Sequence, residues 1–359
     1  MKRLLTNTRH IRAMGQDGGI AGAEAGGWAE APHLPWLDGW RGLALLLVFV
    51  GHFTPLKTGS VGVELFFVLS GRLMAEILIV RRQRLRTFLC RRISRVVPAL
   101  FAYVAIICAL SYGALNSDQA RSLALSAASA LLFVQNYLPT ADALGAFEHC
   151  WSLAVEEHSY LILGCVALAT ARDEGRAMRV AAMLACLAIA NGTLQSWGVA
   201  RPWEIYVRTD VRAASIFLAF SLHLHLRRGA PWDGRRWAPR VAPAALVVGL
   251  AIAVAPLPEA LRFSLGTLLL AVALQSLDAA APRFRRLFEE PALRWAGLLS
   301  FSLYLWQQPF YLAHRAGASV AVAVPLALLC AVLSHYGIER PARAWLNGRR
   351  AGACAAVPG

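Results

Sequence analysis

The feature that most constrains this chain is an alternation of long apolar runs with short arginine-rich breaks. Runs lie at 37–55, 61–80, 96–115, 121–138, 150–170, 178–198, 210–227, 241–256, 259–279, 294–314 and 317–338. Most approach the roughly 20 residues that an α-helix needs to cross a bilayer. A soluble domain carries about 25% charged residues, whereas here 16% of 359 residues are charged and 57% are apolar. The pattern predicts an all-α, polytopic integral membrane bundle with no large soluble core. The formal charge of +15 is concentrated at the N-terminus, 81–95 (RRQRLRTFLCRRISR), 172–179, 227–240, 283–294 and the C-terminal tail. Arginine in short loops between apolar runs orients membrane helices, and this distribution argues against nucleic acid as a partner.

If all six basic clusters face the cytoplasm, each interval between them holds an even number of crossings. Four intervals comply, and 96–170 offers three segments. Its middle segment, RSLALSAASALLFVQNYL at 121–138, is rich in Ser and Ala and ends on Gln135 and Asn136. Read as a re-entrant or interfacial helix, it leaves about ten transmembrane helices with both termini cytoplasmic; eleven is the competing count. The expected organisation is a flexible cytoplasmic tail at 1–35, a membrane domain at 36–345 and a cytoplasmic tail at 346–359, and the expected location of the protein is the cell inner membrane. The seven cysteines are scattered, mostly through apolar runs, and imply neither a disulfide framework nor a metal site.

Ionisable residues inside the runs narrow the function. Such groups are costly in lipid and mark paired or functional positions. LDGWRGLALLLVFVGHF at 37–53 carries Arg41 and His52. Eleven residues at about 100° each make three turns plus about 20°, so the two share a helix face roughly 16 Å apart. An outward-running helix puts His52 near the external face and Arg41 near the cytoplasm. By the same topology Glu156 and Glu157 in HCWSLAVEEHSYL (149–161), with Asp210 and Arg212 in RTDVR (208–212), lie in the outer half. One outer cavity shared with His52 is the expected arrangement.

Together with GVELFFVLSGRLM (62–74), RRISRVVPAL (91–100), SFSLYLWQQP (300–309) and GIERP (337–341), these stretches carry a family resemblance over roughly 37–345. The chain resembles the acyltransferase 3 family of integral-membrane O-acyltransferases. The resemblance implies transfer of an acyl group, commonly acetyl, from acyl-CoA to a hydroxyl of a carbohydrate or glycolipid acceptor, with no metal. His52 is then the candidate base for the acceptor hydroxyl or a nucleophile forming an acyl-imidazole, with Glu156 or Glu157 orienting it or binding acceptor hydroxyls. Arg41, Arg91, Arg92 and Arg95 are candidates for the CoA phosphates, which arginine recognises bidentately. Trp151, Asp210, Arg212 and Arg72 are candidates on the substrate side.

Several positions carry structural expectations. Asp38 either caps the first helix or pairs with Arg41. Arg72 stands mid-span where the family commonly has an aromatic or apolar residue, with Glu76 one turn on and Glu64 two turns back as expected ion-pair partners. Gln307 stands where the family commonly has histidine. Glu339, Arg340 and Pro341 are expected to be structural. The chain stops soon after the last run, so no extracytoplasmic esterase-like domain is expected. A competing class is a transporter, flippase or export partner for a glycan or small solute. Reporter fusions near residues 85, 175, 233 and 286 are expected to report a cytoplasmic position and those near 57, 143 and 205 an external one; an external signal at 175 with an internal one at 143 would make 121–138 a full span.

Overall fold

The computed structural model describes residues 34–138, 145–196, 202–229, 234–258 and 261–355, and every regular element among them is helical. Nearly all of the expected N-terminal tail at 1–35 lies outside the described residues. The elements are α1 (Pro35–Phe53), α2 (Gly59–Met74, continued by a π turn Ala75–Val80), α3 (Leu85–Ser111), α4 (Ser117–Leu131) and α5 (Trp151–Ala169, preceded by a 3-10 turn Glu148–Cys150). There follow α6 (Glu174–Ser196), α7 (Pro202–Val207), α8 (Thr209–Gly229), α9 (Ala238–Val254) and α10 (Thr267–Gln275, preceded by a π turn Arg262–Gly266). The last are α11 (Pro282–Glu289), α12 (Pro291–Leu298), α13 (Ser300–Arg315), α14 (Val320–Ser334, continued by a π turn His335–Glu339) and α15 (Arg340–Ala355). The segment from Val320 stays helical past 345, across the expected boundary of the membrane domain.

Four helical stretches are long and apolar enough to cross a membrane: Leu85–Ser111, Glu148–Ala169, Glu174–Ser196 and Val320–Gly348. Ala238–Val254 and Arg262–Gln275 are apolar but shorter. Helix α4 begins on a capping box, in which Asn116 accepts from Gln119 N at 2.9 Å and Gln119 accepts from Asn116 N at 3.1 Å. Its 15 residues cover about 22 Å, short of the roughly 30 Å hydrocarbon thickness. Beyond it the chain turns inward: Gln135 bonds to Ser129 and Ser126, and Asn136 donates to Thr209 Oγ1 at 2.8 Å.

Two buried clusters organise the bundle. One joins α2, α5, α6 and α8 around Phe67, Trp151, Ile216 and Phe220; the other joins α1, α3, α4, α13 and α14 around Leu45, Leu100, Tyr103 and Leu305. Glycine sets how closely the helices approach. A Cβ on Gly42 would stand 2.0 Å from the Leu293 carbonyl oxygen, and one on Gly297 would stand 1.9 Å from that of Asp38, so α1 and α12 touch backbone to backbone. At the α2–α8 crossing a Cβ on Gly71 would lie 2.2 Å from the Ile216 carbonyl oxygen.

Buried charges tie the same helices. Arg212 donates to Glu64 Oε2 at 2.5 Å, Thr267 donates to Glu64 Oε1 at 2.5 Å, and the guanidinium lies 4.1 Å from the Phe263 ring centroid. The expected Arg72–Glu64 pair is therefore not formed, because α8 and α10 occupy both oxygens of that carboxylate. Glu76 pairs with Arg81 at 2.8 Å and His223 at 3.4 Å instead. Arg72 turns to α10, donating to Gln275 Oε1 at 2.7 Å and reaching Asp278 at 3.4 Å, with the Trp36 ring centroid 4.9 Å away. Overpacking of a close crossing costs about 1–3 kcal/mol, so Gly71→Ala is expected to lower the melting temperature of the detergent-solubilised protein.

Candidate active site

Two polar centres lie towards opposite ends of α1. The first is a cavity of about 760 Å³, mouth included, walled by α1, α2, α3, α5 and α13. In RRISR, Arg92 and Arg95 are three residues apart and share a helix face, and both line it together with Arg41. Arg91 is on the exposed side. Arg92 bridges both glutamates of α5: its Nη2 donates to Glu156 Oε2 and its Nε to Glu157 Oε1, each at 2.6 Å. Its guanidinium lies 4.6 Å from the Tyr160 ring centroid. Ser70 donates to Glu156 Oε1 at 2.6 Å and accepts from the Tyr160 hydroxyl at 2.9 Å. One arginine thus holds two carboxylates, and a hydroxyl relay fills a further carboxylate position.

The rest of the cavity is strongly basic. Arg41 pairs with Asp38 at 2.8 Å, as expected from their spacing. Arg95 lies in electrostatic range of Arg41, Arg92, Arg343 and Glu339, yet no carboxylate among the described residues lies within ion-pair distance of it. Between these arginines and the far wall the lining is apolar, with Val63, Phe66, Leu69 and Leu73 of α2, Leu153 of α5 and Phe301 of α13. Two hydroxyls close the cavity. Ser152 donates to the Tyr304 hydroxyl at 2.6 Å, and Tyr304 donates to the His149 carbonyl at 2.5 Å.

The second centre surrounds His52. Its Nδ1 is 2.6 Å from Gln307 Oε1, and its ring stacks on Tyr311 with centroids 4.2 Å apart. Because the Gln307 carbonyl can only accept, the hydrogen-bond pattern places the proton on Nδ1 and leaves Nε2 as the basic nitrogen. Glu156 and Glu157 do not join this centre. The expected outer cavity uniting them with His52 is absent among the described residues, because Arg92 draws both glutamates to the cavity at the Arg41 end.

The other expected site residues disperse. Asp210 is exposed, held by Arg208 at 3.0 Å and by Asn191 at 2.8 Å. Arg212 is fully buried on Glu64. Trp151 is 6% exposed and packs edge-on against Phe67 and Tyr206, leaving no free ring face for a sugar. Sequence reasoning missed Ser70, Tyr304, Ser152, His149 and Arg343. Each is polar or charged, and all but His149 and Arg343 lie inside apolar runs, which was the available signal. Among the described residues no group of His, Cys, Asp or Glu is arranged to hold a metal ion.

Comparison with known proteins gives the class. The chain matches the family model Acyl_transf_3, described as an acyltransferase domain, over residues 34–336. It belongs to that family of acyl-transferring membrane enzymes. It is 30% identical to a protein of Komagataeibacter xylinus named as a membrane-bound transacylase, BcsY, over 85% of this chain and 81% of that one. It is 27% identical to the peptidoglycan O-acetyltransferase OatA of Listeria monocytogenes over 77% of this chain, and 26% identical over 87% of this chain to YrhL of Bacillus subtilis, named as a peptidoglycan O-acetyltransferase. The matches span only 49% and 55% of those two longer relatives. No solved structure matches the chain significantly.

The Arg92 bridge has a measurable consequence. Removing one partner of a buried ion pair costs about 3–5 kcal/mol because the other charge is left uncompensated. Arg92→Ala is expected to destabilise the solubilised protein by about that amount, and adding Glu156→Gln and Glu157→Gln is expected to recover most of it in a thermal melt.

Proposed function

We propose that this chain is an O-acyltransferase of the cell inner membrane that takes an acyl group, acetyl by analogy with the relatives' names, from acyl-CoA. The acceptor in this reading is a hydroxyl of a carbohydrate or glycolipid. The observation that carries it is the cavity, in which Arg41 and Arg95 stand beside an apolar wall and Arg95 has no carboxylate within ion-pair distance among the described residues. Coenzyme A has the complementary form, with phosphates at one end, a long uncharged arm and the thioester at its tip. Arg95, which lacks a carboxylate partner, and Arg41 would take the phosphates. Arg92, already held by two glutamates, would supply the rigid wall beside them. Arg91 faces away.

The proposed topology has ten spans and both termini in the cytoplasm, which puts the cavity on the cytoplasmic side and His52 towards the external one. The roughly 16 Å between Arg41 and His52 is comparable to the reach of an extended pantetheine arm. His52, holding its proton on Nδ1, would accept the acceptor's hydroxyl proton at Nε2. The alkoxide would attack the thioester carbonyl, and collapse of the adduct would expel the CoA thiolate, which takes the proton back. Asp210, exposed beside Arg208 and Asn191, remains a candidate acceptor contact. Arg72, Trp151 and Arg212 are assigned to structure.

The two ends of α1 should fail differently. Loss of a charge-assisted contact of about 1.5–3 kcal/mol makes Arg95→Ala and Arg41→Ala each raise the acyl-CoA concentration for half-maximal rate about tenfold to a hundredfold. Arg41→Lys should recover only part of that, since an ammonium lacks the bidentate fork. His52→Ala should abolish turnover while acyl-CoA binding is kept. Direct acyl-CoA binding to purified variants, alongside ester analysis of surface glycans in a deletion strain and its parent, tests the reading. Undiminished CoA binding in both arginine variants would remove the phosphate site. Unaltered ester content with impaired glycan export would favour a transporter.

A further inference from the structure

Gln307 makes a demand that its known contacts do not meet. It is fully buried on α13, and its carbonyl oxygen receives the Nδ1 proton of His52 at 2.6 Å. The nitrogen of the same amide, Nε2, is also buried and has no hydrogen-bond partner among the described residues. Its neighbour Gln308 shows the usual outcome for a buried amide, donating to the Gly145 carbonyl at 2.8 Å. A buried N–H group without an acceptor loses its water and gains nothing in return. A leucine would pack there without that penalty, but it would not hold His52.

The amide nitrogen is covalently fixed beside the oxygen that holds His52 Nδ1, so it lies beside the imidazole ring. The ring is held there on its face by Tyr311. Electrostatic stabilisation in acyl transfer requires N–H donors already aimed at the place where the carbonyl oxygen becomes negative. A neutral amide meets that need without adding a second proton-accepting group beside the base.

We propose that Gln307 is a catalytic residue whose amide acts at both ends: Oε1 fixes the His52 tautomer, and Nε2–H donates to the acyl carbonyl oxygen as it becomes an oxyanion. The inference rests on the reading of His52 as the base. As the acceptor oxygen bonds to the thioester carbon, the C=O π pair moves onto the oxygen and is held by Nε2–H, while the hydroxyl proton goes to His52 Nε2. When the pair returns to re-form the C=O bond, the C–S bond breaks, the thiolate leaves with the C–S bonding pair and the proton passes from His52 to sulfur. No outside oxidant or reductant is needed.

The test uses the full-length protein in native membrane vesicles, with acetyl-CoA as the donor and free-thiol release as the readout. Gln307→Glu keeps an acceptor for His52 Nδ1–H and nearly the same volume but has no ionised-state donor; Gln307→Leu keeps neither function. Both are expected to lower the maximal rate by about 10²–10³, the usual effect of losing one such donor, with acetyl-CoA half-saturation unchanged. Gln307→Glu at the parent rate would overturn the donor role, and if Gln307→Leu fails to accumulate, the glutamate variant alone decides. His52→Ala, measured in parallel, separates this inference from the reading beneath it. Turnover lost in His52→Ala but kept in Gln307→Glu refutes the inference and leaves the base. Turnover kept in His52→Ala but lost in Gln307→Glu supports the donor and removes the base.

Discussion

The arrangement around the cavity depends on one charge-sharing contact. Arg92 is a single cation between two adjacent carboxylates, and adjacent residues on a helix diverge by about 100°. Only a forked guanidinium, using Nε for one oxygen and Nη2 for the other, reaches both Glu156 and Glu157 from one side. The contact locks α3 to α5, and Ser70 and Tyr160 carry it on to α2. With the glutamates occupied, Arg95 keeps its charge for whatever enters the cavity. Lysine at position 92 would preserve the charge and lose the geometry.

Much of the architecture was legible because its causes are local. Apolar run length gives helices, and a three-residue spacing gave the Asp38–Arg41 pair. Helical periodicity also put Arg41 and His52 on one face of α1. The short helix at 117–131 could be anticipated from its weak, Ser-rich composition and the polar Gln135 and Asn136 that end it.

Contacts between helices were less legible, because the sequence records position along an axis but not which neighbour lies across from it. Glu156 and Glu157 were expected beside His52 at a shared depth, and instead face Arg92. Arg72 had acidic residues at helical spacing on its own helix, yet Glu64 went to Arg212 and Arg72 went to Gln275. In lipid every buried charge competes for every nearby partner, and the winner is set by how closely the helices approach, which Gly71 determines at the crossing of α2 and α8. The partner of His52 was hidden for a related reason: Gln307 is 255 positions away in the chain.

Helix α13 carries both Tyr304, which closes the cavity, and Gln307, which holds His52, within a single turn. Pro309 lies two residues further on. A proline has no N–H to give the carbonyl four residues back, so the carbonyl of Leu305, between the two functional side chains, lacks its regular helical bond. The weakest link of this helix therefore falls between the cavity and the histidine. Strain on α13 is therefore least resisted between the side chain that closes the cavity and the one that holds the histidine.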